Sequence, residues 1–155
     1  LNTPSVIALT RQKLAQVRKE FVKENKSLKG AYELSRNNEK INLTIFASGS
    51  EVNLAFEVSH KLATQNIYSK VISVPCQNFF EKQTNNYKEK ILNETKHKVS
   101  IEAASTDCWR KFVGENGLCF GIDSFGKSAP YQDAFNHFGL TSDKIVKKIK
   151  EMINN

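Results

Sequence analysis

Apolar positions along this chain fall into short blocks separated by stretches in which they recur every three or four residues. The first block is Val6-Ile7-Ala8-Leu9, held between Pro4-Ser5 and Thr10-Arg11-Gln12. A run of this kind makes a strand covered on both faces, and such a strand needs sheet neighbours. A long charged stretch separates it from the next block. The block therefore reads as the last strand of one domain, and the charged stretch as a linker into a second. Residues 1–14 are assigned to the end of a preceding domain, 15–28 to the linker and 29–155 to the second domain. With no initiator Met, the chain reads as the end of a larger protein. Leu14, Val17, Phe21 and Leu28 fall near one helical stripe, so part of the linker is expected to be a helix lying on a domain surface.

From Gly30 onward, strand and helix patterns alternate. Strands are predicted over 31–34, 43–47, 71–74, 99–101 and 118–122. Ser50 is placed to cap the helix after the second strand, with Glu51 at the positive end of its dipole. Val52, Ala55, Phe56, Ser59, Leu62 and Ala63 form its buried face. A helix over 107–113 turns Trp109, Phe112 and Val113 inward. Another over 130–138 ends at Gly139. Thr141 caps the last helix, in which Ile145, Ile149, Met152 and Ile153 make one stripe. Strands alternating with helices give an α/β fold: a mostly parallel sheet covered on both faces, hence a three-layer α/β/α sandwich of Rossmann-like type. There is no internal repeat and no low-complexity tract.

Composition narrows the class. The chain has 155 residues, 39% of them apolar, with ten Phe, enough for a real core. No apolar run approaches the ~18 residues of a membrane span, and the first residues lack a charged-then-apolar signal pattern. Cys76, Cys108 and Cys119 are odd in number and have no C-x-x-C spacing, so buried thiols in a reducing cytoplasm are expected rather than a disulfide framework or zinc ribbon. The net charge of +7 raises nucleic acid as a partner. The excess is Lys, 19 against 4 Arg, spread along the chain beside Glu and Asp. Specific nucleic-acid readers favour clustered Arg with interleaved aromatics, so a solvated surface is the better reading, with neither nucleic acid nor membrane as partner.

Candidate chemistry is sparse. Arg11 directly follows an apolar run, and its planar fork could hold a phosphate through two parallel hydrogen bonds. By residue type alone, an Arg there is more often a surface or ion-pairing group. Gly121-Ile122-Asp123-Ser124-Phe125-Gly126-Lys127-Ser128 satisfies the P-loop pattern. Against that reading stand the carboxylate of Asp123, the bulk of Ile122 and Phe125, Pro130 where the helix should continue, and no later strand ending in a Mg²⁺-holding Asp. Ser48-Gly49-Ser50 lies at a helix start, and Glu102 and Asp123 at strand ends, so Ser50, Glu102 and Asp123 could line a ligand cleft. The plainer reading is that they cap helices and satisfy backbone. His60, His97 and His137 have no metal or dyad spacing, and Trp109 is read as a core or interface anchor.

Several of these segments resemble transketolases. Pro4 through Gln12 is similar to the segment that closes the pyrimidine-binding domain of that family. Lys29-Gly30-Ala31-Tyr32, Ala47-Ser48-Gly49-Ser50-Glu51-Val52 and Val71-Ile72-Ser73-Val74-Pro75-Cys76 come next, in register. Val99-Ser100-Ile101-Glu102-Ala103 and Phe125-Gly126-Lys127-Ser128-Ala129-Pro130 complete the series. Departures are Ala31, where a second Gly is frequent, and Lys13, where Asn is common. The resemblance implies a carboxy-terminal domain with a five-stranded mixed sheet whose first strand is antiparallel. It implies that Arg11 binds the phosphate of a sugar substrate. It also implies a parent transferase of the pentose phosphate pathway, a homodimer that moves a two-carbon ketol unit from a ketose phosphate to an aldose phosphate. That enzyme uses thiamine diphosphate and Mg²⁺ or Ca²⁺. The family places cofactor, metal and catalytic groups in the two preceding domains, so no catalytic, cofactor or metal residue is assigned here. The fragment is expected to be inert alone, with a structural or assembly role. The alternatives are the last domain of another thiamine diphosphate enzyme and a stand-alone α/β module binding a small ligand.

Overall fold

The structure, a computed structural model, describes residues 4, 6–10, 12–18 and 21–154. Five strands form one sheet: β1 (Tyr32–Arg36), β2 (Leu43–Ala47), β3 (Ser69–Ser73), β4 (His97–Ile101) and β5 (Leu118–Phe120). Their spatial order is β1-β3-β2-β4-β5. β2, β3, β4 and β5 pair in parallel, and β1 is antiparallel to β3, with a register shift between Glu33 and Ser35. The mixed sheet with an antiparallel first strand is thus as the resemblance implies.

Two cores lie on opposite faces, and the alternation of side chains along each strand separates them. Leu43, Ile45, Val71, Val99 and Ile101 point to one face. There they meet α1 (Glu51–Ala63) and α6 (Ser142–Asn154), which contribute Ala55, Val58, Leu62, Ile145 and Ile149. Phe46 and Ile72 point to the other face. Phe80 of α2 (Gln77–Glu81), Ile91 of α3 (Asn85–Leu92), and Phe112 and Val113 of α4 (Arg110–Val113) cover them, with Trp109 just before α4. Phe112 is the hub of this side, its ring centroid within 5.3–5.5 Å of those of Phe46, Phe80 and Trp109. The three-layer sandwich is therefore present.

Several details differ from the sequence expectations. The predicted strand over Val6–Leu9 does not form. These residues have no sheet partner among the described residues, and Val6 is 95% exposed. They pair with neither edge strand, β1 nor β5, and the sheet to which the pattern assigns them belongs to a preceding domain rather than to this one. The expected linker helix is also absent among the described residues, apart from a 3-10 turn at Lys26–Lys29. Phe21 and Leu28 stay exposed, and Val17 packs on the first core. Asp107–Trp109 is a 3-10 turn leading into α4, not one continuous helix. On α1, Val58 is buried while Phe56 and Ala63 are only half-buried.

Candidate functional site

The carboxyl ends of the parallel strands are where ligands gather in open α/β sheets. Here the β2–α1 turn, the segment after β4 and the segment after β5 meet. Gly49 adopts φ +53°, which lets the chain turn sharply from β2 into α1. Ser50 does not cap the helix; its hydroxyl donates to Glu51 Oε1 at 2.6 Å. The other oxygen of Glu51 accepts from the Ala103 backbone N–H at 3.1 Å. Glu51 is buried. Its carboxylate thus supplies the negative charge that the α1 dipole favours and ties α1 to the end of β4.

The other two candidates are also engaged. Glu102 Oε2 accepts from the indole Nε1 of Trp109 at 2.7 Å. That bond satisfies the one polar atom of a side chain that is 1% exposed. Asp123 accepts from the Thr106 backbone N–H and from its hydroxyl, both at 2.8 Å. The backbone bond, then the hydroxyl bond, holds the Asp123 carboxyl below its ordinary value. Each of Ser50, Glu102 and Asp123 sits at a strand end as expected, but each holds a loop or helix of its own. Ser50 lines a groove that neither Glu102 nor Asp123 reaches. The partners Thr106, Ala103 and Trp109 lie 17, 52 and 7 residues from the groups they bind, and no local pattern in one sequence pairs residues so far apart.

The segment with P-loop spacing is not a phosphate cradle. It carries no helix until α5 (Tyr131–Phe138). At Gly121 a Cβ would lie 2.6 Å from the Ala104 carbonyl oxygen, so this glycine serves close approach of two loops. At Gly126 a side chain would meet nothing within 4 Å.

Arg11 lies outside the described residues. Its neighbours Gln12, Lys13 and Leu14 line a groove of about 460 Å³ with Ser50, Leu54, Tyr131 and Phe135. Among the described residues no group of three His, Cys, Asp or Glu side chains could hold a metal ion. The three carboxylates at the strand ends, already bound to backbone, hydroxyl and indole donors, do not fit a metal–diphosphate site. Nor is any helix of the described residues long and apolar enough to cross a membrane. All three cysteines are free thiols, but none is buried as expected: Cys108 is exposed and Cys76 and Cys119 are half-buried.

A mixed sheet of this order, with helices on both faces, defines an α/β domain whose strand-end polar groups are hydrogen-bonded within it. The family model for the transketolase-like carboxy-terminal domain matches residues 30–141, and the chain belongs to that family. The transketolase of Sinorhizobium medicae is 39% identical over 153 residues, which are 98% of this chain and 22% of that protein. Transketolase from Pichia stipitis superposes with a TM-score of 0.82 at 31% identity, over 93% of this chain and 20% of that one. A structure of the Pichia enzyme with sedoheptulose 7-phosphate gives 0.76 at 32% identity, over 83% and 18%. A split-gene transketolase described as an inactive β4 tetramer shares the fold, with TM-score 0.72 at 16% identity over 93% of this chain and 48% of that one. The chain thus spans about a fifth of the length of its S. medicae and P. stipitis relatives.

Proposed function

We propose that this chain is the carboxy-terminal part of a transketolase, with residues 1–14 ending the preceding domain, 15–28 linking and 29–155 forming the last domain. The parent enzyme transfers a two-carbon ketol unit between phosphorylated sugars as a cytoplasmic homodimer, using thiamine diphosphate and Mg²⁺ or Ca²⁺. The observation that carries this reading is the 39% identity to one such enzyme across nearly the whole chain, beside a family match over residues 30–141. The Pichia relative is recorded with a sugar phosphate, which supports that substrate class. No step of carbon–carbon chemistry is assigned to residues of this chain, because its strand-end carboxylates are committed to structural bonds. Its contribution is architectural.

Two experiments test the reading. The 155-residue chain alone, given cofactor, metal and sugar phosphates, is expected to show no turnover; robust turnover refutes it. In the long enzyme, Arg11→Ala should raise KM for phosphorylated sugars about tenfold or more, as expected for a lost charge-assisted pair. Unphosphorylated acceptors should be affected much less. An equal loss on both would remove the phosphate-binding role.

A further inference from the structure

We propose that the cleft between the Lys26–Lys29 turn, the start of β1 and the second half of α3 binds a small phosphate monoester with a body the size of one ring. The inference does not depend on the transketolase reading.

The local sequence brings the cations of this cleft together. Lys26 and Lys29 stand at the two ends of the 3-10 turn. Side chains three residues apart eclipse in such a turn, so both ammonium groups leave it on one side. The turn is closed at both ends. The Asn25 side chain accepts from the Ser27 N–H at 3.2 Å, and the Gly30 N–H donates to the Ser27 carbonyl at 3.0 Å. Lys90 of α3 lines the same cleft. Its carbonyl accepts from Lys70 Nζ at 3.3 Å, which ties that turn of α3 to β3.

The walls are apolar and fixed. Tyr32, Tyr87 and Ile91 enclose, with the three lysines, a volume of about 240 Å³. The Tyr87 hydroxyl donates to the Ala31 carbonyl at 2.8 Å, and its ring meets Phe80 edge to face at 6.4 Å. Lys29 Nζ lies 5.6 Å from the centroid of the Tyr87 ring. Sites for drug-sized molecules run from about 300 to 1,000 Å³, so this cleft suits a single ring with one substituent.

Charge identifies the substituent. Two carboxylates also border the cleft, those of Glu24 and Glu33. Glu33 is taken by Arg36 at 2.9 and 3.0 Å, and Glu94 by Arg36 and Lys70, so those four groups are neutral as a set. Three ammonium groups then face the one remaining carboxylate, Glu24, a surplus of two positive charges. Lys26 and Lys29 are half-buried, where an ammonium without a counter-ion is costly. A phosphate monoester carries about −1.5 to −2 at pH 7 and offers three acceptor oxygens. It matches both the surplus and the number of lysines. A carboxylate would leave one positive charge over.

An NMR titration of the 155-residue chain with phenyl phosphate at low ionic strength tests this. Amides of residues 26–32 and 87–91 should shift and saturate below about 10 mM. Phenol should not bind, and inorganic phosphate should bind at the same amides at least about threefold more weakly. Lys29→Gln and Lys90→Gln should each weaken phenyl phosphate about fivefold or more. Lys148→Gln, whose ammonium pairs with Glu151 at 3.1 Å on α6, should leave it unchanged. Absence of saturation, shifts confined to other residues, or binding untouched by Lys29→Gln overturns the proposal. Equal weakening by Lys148→Gln does so too, since it would reduce the effect to the general pull of a chain of charge +7. Phenol or inorganic phosphate binding as tightly as phenyl phosphate would remove the phosphate or the ring from the ligand and likewise overturn it.

Discussion

Lys70 shows how far this fold goes to bury a charge. It is 1% exposed, in the middle of β3. Its ammonium donates to Glu94 Oε2 at 2.8 Å and to the Lys90 carbonyl at 3.3 Å. Arg36 grips the same carboxylate with two nitrogens at 2.6 and 2.7 Å and reaches Glu33 as well. The hydrogen bond from Arg36, then that from Lys70, pulls Glu94 from 4.5 down to about 2. A carboxyl held down in the folded state stabilises fully above its unfolded value and loses that contribution as pH falls through the folded one. An acid titration of Tm should therefore show a loss between about pH 4.5 and 2, and Glu94→Gln should flatten it; an unchanged profile would sink the assignment. Glu94→Ala leaves Lys70 buried without its anion and should cost about 2–4 kcal/mol in chemical denaturation, somewhat less than a fully buried pair because Glu94 itself is partly exposed. Ser100 is the opposite case. Its hydroxyl is buried on the aromatic face with no hydrogen-bond partner among the described residues. Ser100→Ala removes an uncompensated desolvation and should leave Tm unchanged or raise it by a few degrees, about what 1 kcal/mol gives at this size. Gly30 adopts φ +77°, and a Cβ there would lie 2.1 Å from the Phe80 nitrogen. Gly30→Ala should thus cost more than about 3 kcal/mol, whereas Gly126→Ala, in open space, should cost almost nothing.

Elements were legible in the sequence where burial imposes a period. β2 and the last helix sit where their patterns predict, because Leu43–Ala47 is buried throughout and Ile145 and Ile149 recur on the face that α1 covers. α2 and α3 occupy 77–92, a stretch for which the pattern predicts no element. They have five and eight residues, too short for a helical period to emerge, and their apolar Phe80 and Ile91 are anchored by tertiary packing in the same cluster as Phe112 and Val74. Val6–Leu9 is not a strand among the described residues: its composition signals one, but strand pairing needs neighbours, and the pattern places those in the preceding domain rather than in this sheet. At the strand ends the candidate residues were visible, but their engagement was not, since the Glu51–Ala103 and Asp123–Thr106 contacts join distant parts of the chain. The α1–α6 layer carries its own expectation. Ile149 is fully buried between helix and sheet, so Ile149→Ala should cost about 2–5 kcal/mol. A polar clasp holds the same pair of helices, with Lys61 donating to Ser142 and Asp143 at 2.7 Å each. That clasp is largely solvated, and Lys61→Met should change stability by no more than about 1 kcal/mol.

For the whole molecule, the sheet is shared by both cores, so the strands and the helices that cover them should lose structure together. The single Trp, buried at position 109 and bonded to Glu102, reports on the aromatic face, while far-UV circular dichroism reports on the helices of both. Two regions stand outside this unit. One is residues 12–18 and 21–25 before the 3-10 turn at Lys26, with Lys13, Arg18 and Lys23 exposed; the other is the strap, residues 124–129 after β5, with Lys127 exposed and its neighbours making no hydrogen bond with any described residue. Proteases cut where backbone can be drawn into an extended form without breaking a ladder or a helix. Trypsin should therefore cut first between Lys13 and Lys23 and at Lys127, well before any site in α1 or α6. The nicked chain should still run as one particle under native conditions, because the piece after the strap holds α6, whose Ile145 and Ile149 remain buried against α1 and the sheet. Early cleavage at Lys61 or Lys147 would show instead that the helical layer opens before the strap does.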